Sequence, residues 1–306
     1  MSKSNLSNSS TWKYRMGPFR ALDIDFNNRL QLDRSINKYF KDRFNHGNYS
    51  FQLSGRNALG LALSHYDLKE EDEVAILTPT NNFYISGCVT REIEKFCQWK
   101  RVISEKTKII LVIHEFGVPY ENLENLTKME IPIIEDCAYS FFSSDRKGRI
   151  GKIGEFVIYS FPKMFPIEFG GLLISNLKSK LKNNYLNKDK LEYVQKVLSY
   201  YIQFHDLIIN RRKEIYIKMG SKVKDFGFHP RFMMTPGMVP GVFMFTVKDE
   251  RLDLDSMKRF VQQHGIECSV FYGERAFFIP LHQNLNDEDL DYFAFVLQKF
   301  IQKTEI

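Results

Sequence analysis

The chain has 306 residues, 43% hydrophobic and 26% charged, with a formal net charge of +6. That balance excludes a disordered chain, a collagen-like repeat and a coiled-coil rod, and the length allows one large domain or two modest ones. The mild, scattered positive excess suits an anionic small molecule as well as nucleic acid and does not choose between them.

Met1 to Thr11 is Ser/Asn-rich, with no apolar segment behind a basic start, so no signal peptide is expected. No apolar run approaches the ~20 residues of a membrane helix. Cys88, Cys97, Cys137 and Cys268 lack paired spacing, which reads as reduced thiols in a cytoplasmic protein. The counts of Phe (27) and Tyr (15) suggest an aromatic-rich core.

Residues 1–30 read as a polar leader and an extended arm. Leu30 to Phe44 carries Leu32, Ile36, Tyr39, Phe40 and Phe44 at helical spacing, and Asn45-His46-Gly47-Asn48 breaks it. Ala58 to Tyr66 predicts a helix, and Val74 to Leu77 a strand. Strands are also expected at Lys108 to His114, Ile131 to Asp136, Phe156 to Phe161 and Gly170 to Ser175, with a short helix at Leu123 to Met129. Such alternation argues for a mostly parallel sheet flanked by helices. Lys178 to Met219 reads as helical and includes the basic run Arg211-Arg212-Lys213. Val242 to Val247 and Phe277 to Ile279 predict strands. Leu254 to His264 predicts a helix ended by Gly265, and Asp287 to Ile301 a closing helix with Asn286 as N-cap and Asp289 three positions on. The resulting division is an arm and helix over 1–45, a large cofactor-binding domain over 46–175, a helical connector over 176–235 and a small C-terminal α/β domain over 236–306.

The chemistry concentrates between Ile133 and Ser175. One strand ends in Glu135-Asp136, and the next in Ser160-Phe161-Pro162-Lys163, followed by Gly170-Gly171. Ligands of open α/β sheets bind beyond the carboxyl ends of the strands, so Asp136 and Lys163 are expected in one crevice. A lysine and an acid placed so suit pyridoxal 5'-phosphate, which needs a lysine to link its aldehyde and a carboxylate against its pyridine nitrogen. A strand-end salt bridge is the competing explanation. Ser54-Gly55-Arg56-Asn57 opens a helix, where free N–H groups and Arg56 could hold a phosphate, or where Ser54 is simply an N-cap. Ser160 could donate a hydroxyl to the same phosphate. Phe83, after a strand ending in Thr78-Pro79, could stack on a planar ring or belong to the core. The histidines and cysteines show no metal-ligand spacing, so no metal site is expected, and His114, Glu115 and His282 read as structural. Dinucleotide and Walker signatures are absent.

In order along the chain, SGRNAL (54–59), EDEV (71–74), TPTNNF (78–83), IHEFG (113–117), IIEDCAYS (133–140), YSFPK (159–163) and EFGG (168–171), then more weakly FFIPLH (277–282), resemble the DegT/DnrJ/StrS family of PLP-dependent sugar aminotransferases, in a shortened form. The resemblance implies a fold-type I architecture, with a mostly parallel sheet flanked by helices and a small C-terminal α/β domain. It implies transfer of an amino group, from glutamate, to a nucleotide-linked keto-sugar in surface-polysaccharide or secondary-metabolite sugar biosynthesis. A homodimer is implied, with no nucleic-acid or membrane partner.

By position, Lys163 matches the cofactor-linking lysine and Asp136 the pyridine-nitrogen acid. Gly55, Arg56 and Asn57 match the phosphate turn, and Phe83 the stacking aromatic, with Tyr84 as fallback. Tyr139 stands where the family has Gln or His near the phenolic oxygen. A dehydratase branch carries His in place of the lysine, which Lys163 argues against. Four departures stand out. Arg56 stands where the family has a small hydroxyl residue. Ile158 replaces the family's phosphate serine, with Ser160 as substitute. The stretch between Gly87 and Thr107 is short, so a strand and its loop are expected to be trimmed. The Asn-Tyr-Arg segment that reaches a partner subunit is not recognisable. These departures leave a second reading, a non-catalytic or regulatory relative that binds PLP or a nucleotide-sugar without transamination.

Overall fold

A computed structural model describes residues 12–44, 48–178, 181 and 186–304. The leader Met1 to Thr11, most of the 45–48 break and part of the stretch after Lys178 lie outside the described residues. In chain order the elements are α1 (Asp23–Arg29), α2 (Ser35–Phe44), β1 (Tyr49–Gln52), α3 (Gly55–Leu63), β2 (Glu73–Leu77), α4 (Gly87–Ile93), β3 (Gln98–Lys100), β4 (Thr107–Ile113), α5 (Leu123–Leu126), β5 (Ile133–Asp136), β6 (Phe156–Ser160), β7 (Gly171–Ser175), α6 (Lys188–Ile202), α7 (His205–Val223), β8 (Phe228–Pro230), β9 (Val242–Val247), α8 (Leu254–Gln263), β10 (Ser269–Val270), β11 (Ala276–Pro280) and α9 (Asp287–Thr304).

The first sheet has seven strands in the order β1-β7-β6-β5-β4-β2-β3. β6, β5, β4, β2 and β3 run parallel, and β7 alone is reversed, pairing antiparallel with both β6 and β1. Both faces are covered, and the two-residue period of a strand assigns them. On β6, Phe156 and Ile158 join the core beneath α3 and α4, while Val157 and Tyr159 join the core with α2 and α6. Gly170 and Gly171 seat this sheet against α3. A side chain at Gly171 would meet Ser54 and Gly55 at 2.5–2.7 Å, and Gly170 has φ +120°.

Two expectations are corrected here. The segment 87–107 does not lose a strand: it holds α4 and the edge strand β3, whose three residues pair with Glu73, Val74 and Ala75 of β2. The edge survives because a three-residue strand is enough to cover β2. The arm over 1–30 is not wholly extended, because Asp23–Arg29 is helical. There Asp23 accepts from the Arg20 N–H, and Asn27 is buried, donating to the Pro166 carbonyl.

A second, antiparallel sheet runs β10-β11-β9-β8. It begins at Phe228, ahead of the boundary expected at residue 236. One face carries Phe243, Phe245, Val247, Phe277 and Ile279 against α7, α8 and α9. Asn286 and Asp289 cap α9 reciprocally, at 2.9 and 3.0 Å. Gly265, with φ +77°, follows α8 as expected. The other face, through Val242, Met244, Ala276 and Phe278, turns to the first sheet with Phe116, Phe271 and Met16. Among the described residues no helix is long and apolar enough to cross a membrane.

Candidate active site

A cavity of about 640 Å³ lies at the carboxyl ends of β2, β4, β5 and β6, roofed by the second sheet. Gly55, Arg56, Asp136, Tyr139, Ser160 and Lys163 all line it, so six of the eight residues singled out from the sequence meet in one place. The parallel strands cause this. Asp136 ends β5, and Ser160 ends the neighbouring β6, whose following 3-10 turn (Phe161–Lys163) carries the lysine.

Asp136 is 7% exposed and makes a single hydrogen bond among the described residues, from the Ala138 N–H to Oδ1 at 2.9 Å. Burial raises its pKa, and the Ala138 N–H, His114 and Lys163 only partly offset that. Asp136 lines the cavity, and its second oxygen has no hydrogen-bond donor among the described residues. Lys163 Nζ sits 4.7 Å over the Tyr139 ring. Tyr139 raises the amine's pKa against burial, which lowers it.

Opposite stands the start of α3. The Asn57 N–H is taken by Ser54 Oγ and the Ala58 N–H by the Ser54 carbonyl, which leaves Gly55 and Arg56 to supply the helix-end donors. A side chain at Gly55 would meet Ser160 Cβ at 3.2 Å, so the Ser160 hydroxyl belongs to the same corner. Arg56 donates to Cys88 Sγ at 2.7 Å. Burial works against the Cys88 thiolate, but Arg56 and Ser86 outweigh it and lower the thiol's pKa.

Two sequence-predicted residues fall elsewhere. Asn57 is exposed, and its side chain accepts from Ser54 Oγ at 2.7 Å. It completes the helix cap and does not line the cavity. Phe83 is 82% exposed and also lies off the cavity. Its place is taken by Tyr84, packed against Phe271 and Phe278 at 5.4 and 5.7 Å between centroids. The turn before it decides which aromatic points inward. Asn81 has φ +53°, Arg101 holds the Thr78 hydroxyl and the Asn82 carbonyl, and Glu115 accepts from the Thr80 N–H and hydroxyl. Sequence reasoning missed Cys88, Glu267 and Met16 as lining residues, since each arrives from an element distant in sequence.

His114, Glu135 and Cys137 bring ligand-type atoms within 4.8 Å of one another. They are engaged otherwise. The Tyr120 N–H donates to His114 Nδ1, which places the ring proton on Nε2, facing Glu135 Oε2 at 3.1 Å. Glu135 also accepts from the N–H groups of Gly151, Ile153 and Gly154 at 2.7–2.8 Å. Burial opposes its charge, but His114 and these N–H groups hold its carboxyl below the usual range. His114 and Glu135 thus form a hydrogen-bonded floor beneath the cavity.

The cavity fits the group the sequence implied. A free acceptor oxygen on Asp136 suits a protonated ring nitrogen, Lys163 supplies an amine, and the Gly55–Arg56–Ser160 corner suits a dianionic phosphate.

The seven-strand order and this strand-end cavity define the fold of type I PLP-dependent transferases. Residues 95–182 match the model of the DegT/DnrJ/EryC1/StrS aminotransferase family, so that segment is similar to the family. GDP-perosamine synthase of Escherichia coli O157:H7 is 30% identical over 162 residues, covering 46% of this chain and 44% of that protein. The match therefore spans less than half of that relative's length. PseC of Helicobacter pylori, an aminotransferase of pseudoaminic acid biosynthesis, superimposes with a TM-score of 0.71 at 14% identity, covering 96% of this chain and 100% of that one. GDP-4-keto-6-deoxymannose-3-dehydratase, solved with a trapped PLP-glutamate adduct, does so at 0.68 and 14% identity, covering 93% and 100%. At such identities the likeness is one of fold.

Proposed function

We propose that the chain is a PLP-dependent aminotransferase that passes an amino group from glutamate to a nucleotide-linked keto-sugar, working in the cytoplasm as a homodimer. The observation that carries this reading is the convergence of the Lys163 amine, the singly bonded Asp136 carboxylate and the Gly55–Arg56–Ser160 corner on one cavity. Two of the proteins named above, GDP-perosamine synthase and GDP-4-keto-6-deoxymannose-3-dehydratase, are named for GDP-linked sugars, which supports the substrate class.

When bound, pyridoxal phosphate supplies an aldehyde for the donor's amine and a ring that draws electrons from the substrate carbon. The protein's residues do the rest. Arg56 and the N–H groups at the start of α3 would bind the phosphate. Asp136 would hold the proton on the ring nitrogen. Lys163 Nζ would hold the group at rest and would move a proton at the substrate carbon. Tyr84, Phe278 and Met16 form the apolar wall that excludes water.

The test is direct. Protein mixed with pyridoxal phosphate should turn yellow, and borohydride should fix the group on the Lys163 peptide, as read by mass. Addition of glutamate should discharge the colour. An unchanged adduct in Lys163→Ala would overturn the assignment. A protein that stays colourless would favour the non-catalytic, ligand-binding relative.

A further inference from the structure

Helix α7 buries Ile208, Arg212, Ile215, Tyr216, Met219 and Val223. Arg212 is the exception on this apolar face. It is 0% exposed, and among the described residues every acceptor of its hydrogen bonds is neutral. Nε donates to Gln283 Oε1 at 2.9 Å. Nη1 donates to the carbonyls of Pro240 and Leu281 at 3.2 and 3.4 Å. Nη2 donates to the carbonyl of Lys163 at 2.9 Å. A buried cation facing only neutral acceptors is costly, and well-packed apolar residues would stabilise such a position at least as well. Stability alone therefore does not account for it.

What the fork holds is informative. Lys163 lies in a single 3-10 turn, held internally by the Met164 and Phe165 N–H groups on the Phe161 carbonyl. The carbonyls at the end of that turn have no continuing helix to pair with. Arg212 takes the carbonyl of Lys163, and Gln283, held by Arg212, donates Nε2 to the carbonyl of Met164 at 2.9 Å. Two successive carbonyls of the lysine-bearing turn are thus tied to α7 and to the segment after β11. A planar cation with five donors in a rigid fork suits that task, whereas a lysine ammonium cannot reach all of these acceptors at once.

We propose that Arg212 is a positioning residue for Lys163, fixing, with Gln283, the turn from which the amine enters the cavity. This rests on the reading of Lys163 as the cofactor-linking residue. Chemistry at the amine depends on its placement, where an error of about 1 Å costs up to ~100-fold.

The test separates placement from binding. Pyridoxamine 5'-phosphate cannot link to a lysine and reports the cavity alone. Pyridoxal 5'-phosphate, quenched with borohydride at intervals, reports the rate of attachment at Lys163. In Arg212→Lys and Gln283→Met the full-length chain should keep its pyridoxamine phosphate affinity within about twofold while attachment slows about tenfold or more. Gln283→Met leaves the buried fork its carbonyl partners and decides alone if Arg212→Lys does not fold. Attachment at the wild-type rate in Gln283→Met, or an equal loss of both readouts, overturns the proposal. If the wild-type chain itself forms no adduct at Lys163, the aminotransferase reading fails first and is seen to fail separately.

Discussion

The two sides of strand β5 hold adjacent carboxylates in opposite conditions. Glu135, 0% exposed, accepts from His114 and three backbone N–H groups. Asp136, one residue on, accepts from one N–H and lines the cavity. Strand geometry sends successive side chains to opposite faces, so neighbours in sequence meet different surroundings. The satisfied acid holds the 151–154 loop, and the unsatisfied one is left for a ligand. A buried polar group without its full set of partners marks the place where structure yields to function.

Asp136→Asn should break the working side. An amide cannot hold the ring-nitrogen proton, so the glutamate half-reaction should slow at least ~100-fold. Folding should stay near wild type in urea, since Oδ1 can still accept from Ala138. Wild-type turnover would remove Asp136 from the mechanism.

Glu135→Ala should break the structural side. It strands four donors in the interior and should cost about 3–5 kcal/mol of unfolding free energy, read by urea titration. The same acid gives a pH signature. Its folded carboxyl lies below the ordinary carboxylate value of ~4.3, so its contribution is complete above that value and fades as pH falls through the folded one. The acid limb of stability should be steeper in the wild type than in Glu135→Gln.

Smaller effects sharpen the cavity's outline. Phe83→Ala should leave stability within about 0.5 kcal/mol and cofactor affinity unchanged. Tyr84→Ala should weaken pyridoxal phosphate binding several-fold, and equal effects at the two sites would show the wall misassigned. Iodoacetamide should label Cys88 ahead of Cys97, Cys137 and Cys268, and Arg56→Ala should slow that labelling near neutral pH, because the guanidinium favours the thiolate.

Legibility followed distance along the chain. The strands around Asp136 and Lys163 were readable because their apolar runs are short, β-branched and locally bounded, and because a parallel sheet puts strand ends together. Phe83 falls outside the cavity although both it and Tyr84 fit the pattern, and the choice lies in Arg101 and Glu115, 17 to 32 residues away. Arg212 was passed over inside a basic run, although it lies four residues after Ile208 and three before Ile215, on the apolar face of α7. That spacing was the available signal.

By itself, then, the sequence determined the alternating elements, the parallel sheet and the meeting of Gly55, Arg56, Asp136 and Lys163 at its edge, because these depend on local periodicity and on strand direction. Only the tertiary structure decided which of two adjacent carboxylates is saturated, which of two adjacent aromatics faces the cavity, and what grips the lysine's turn. Those outcomes depend on hydrogen-bond partners and packing surfaces from elements far apart in the chain, where no local pattern records them.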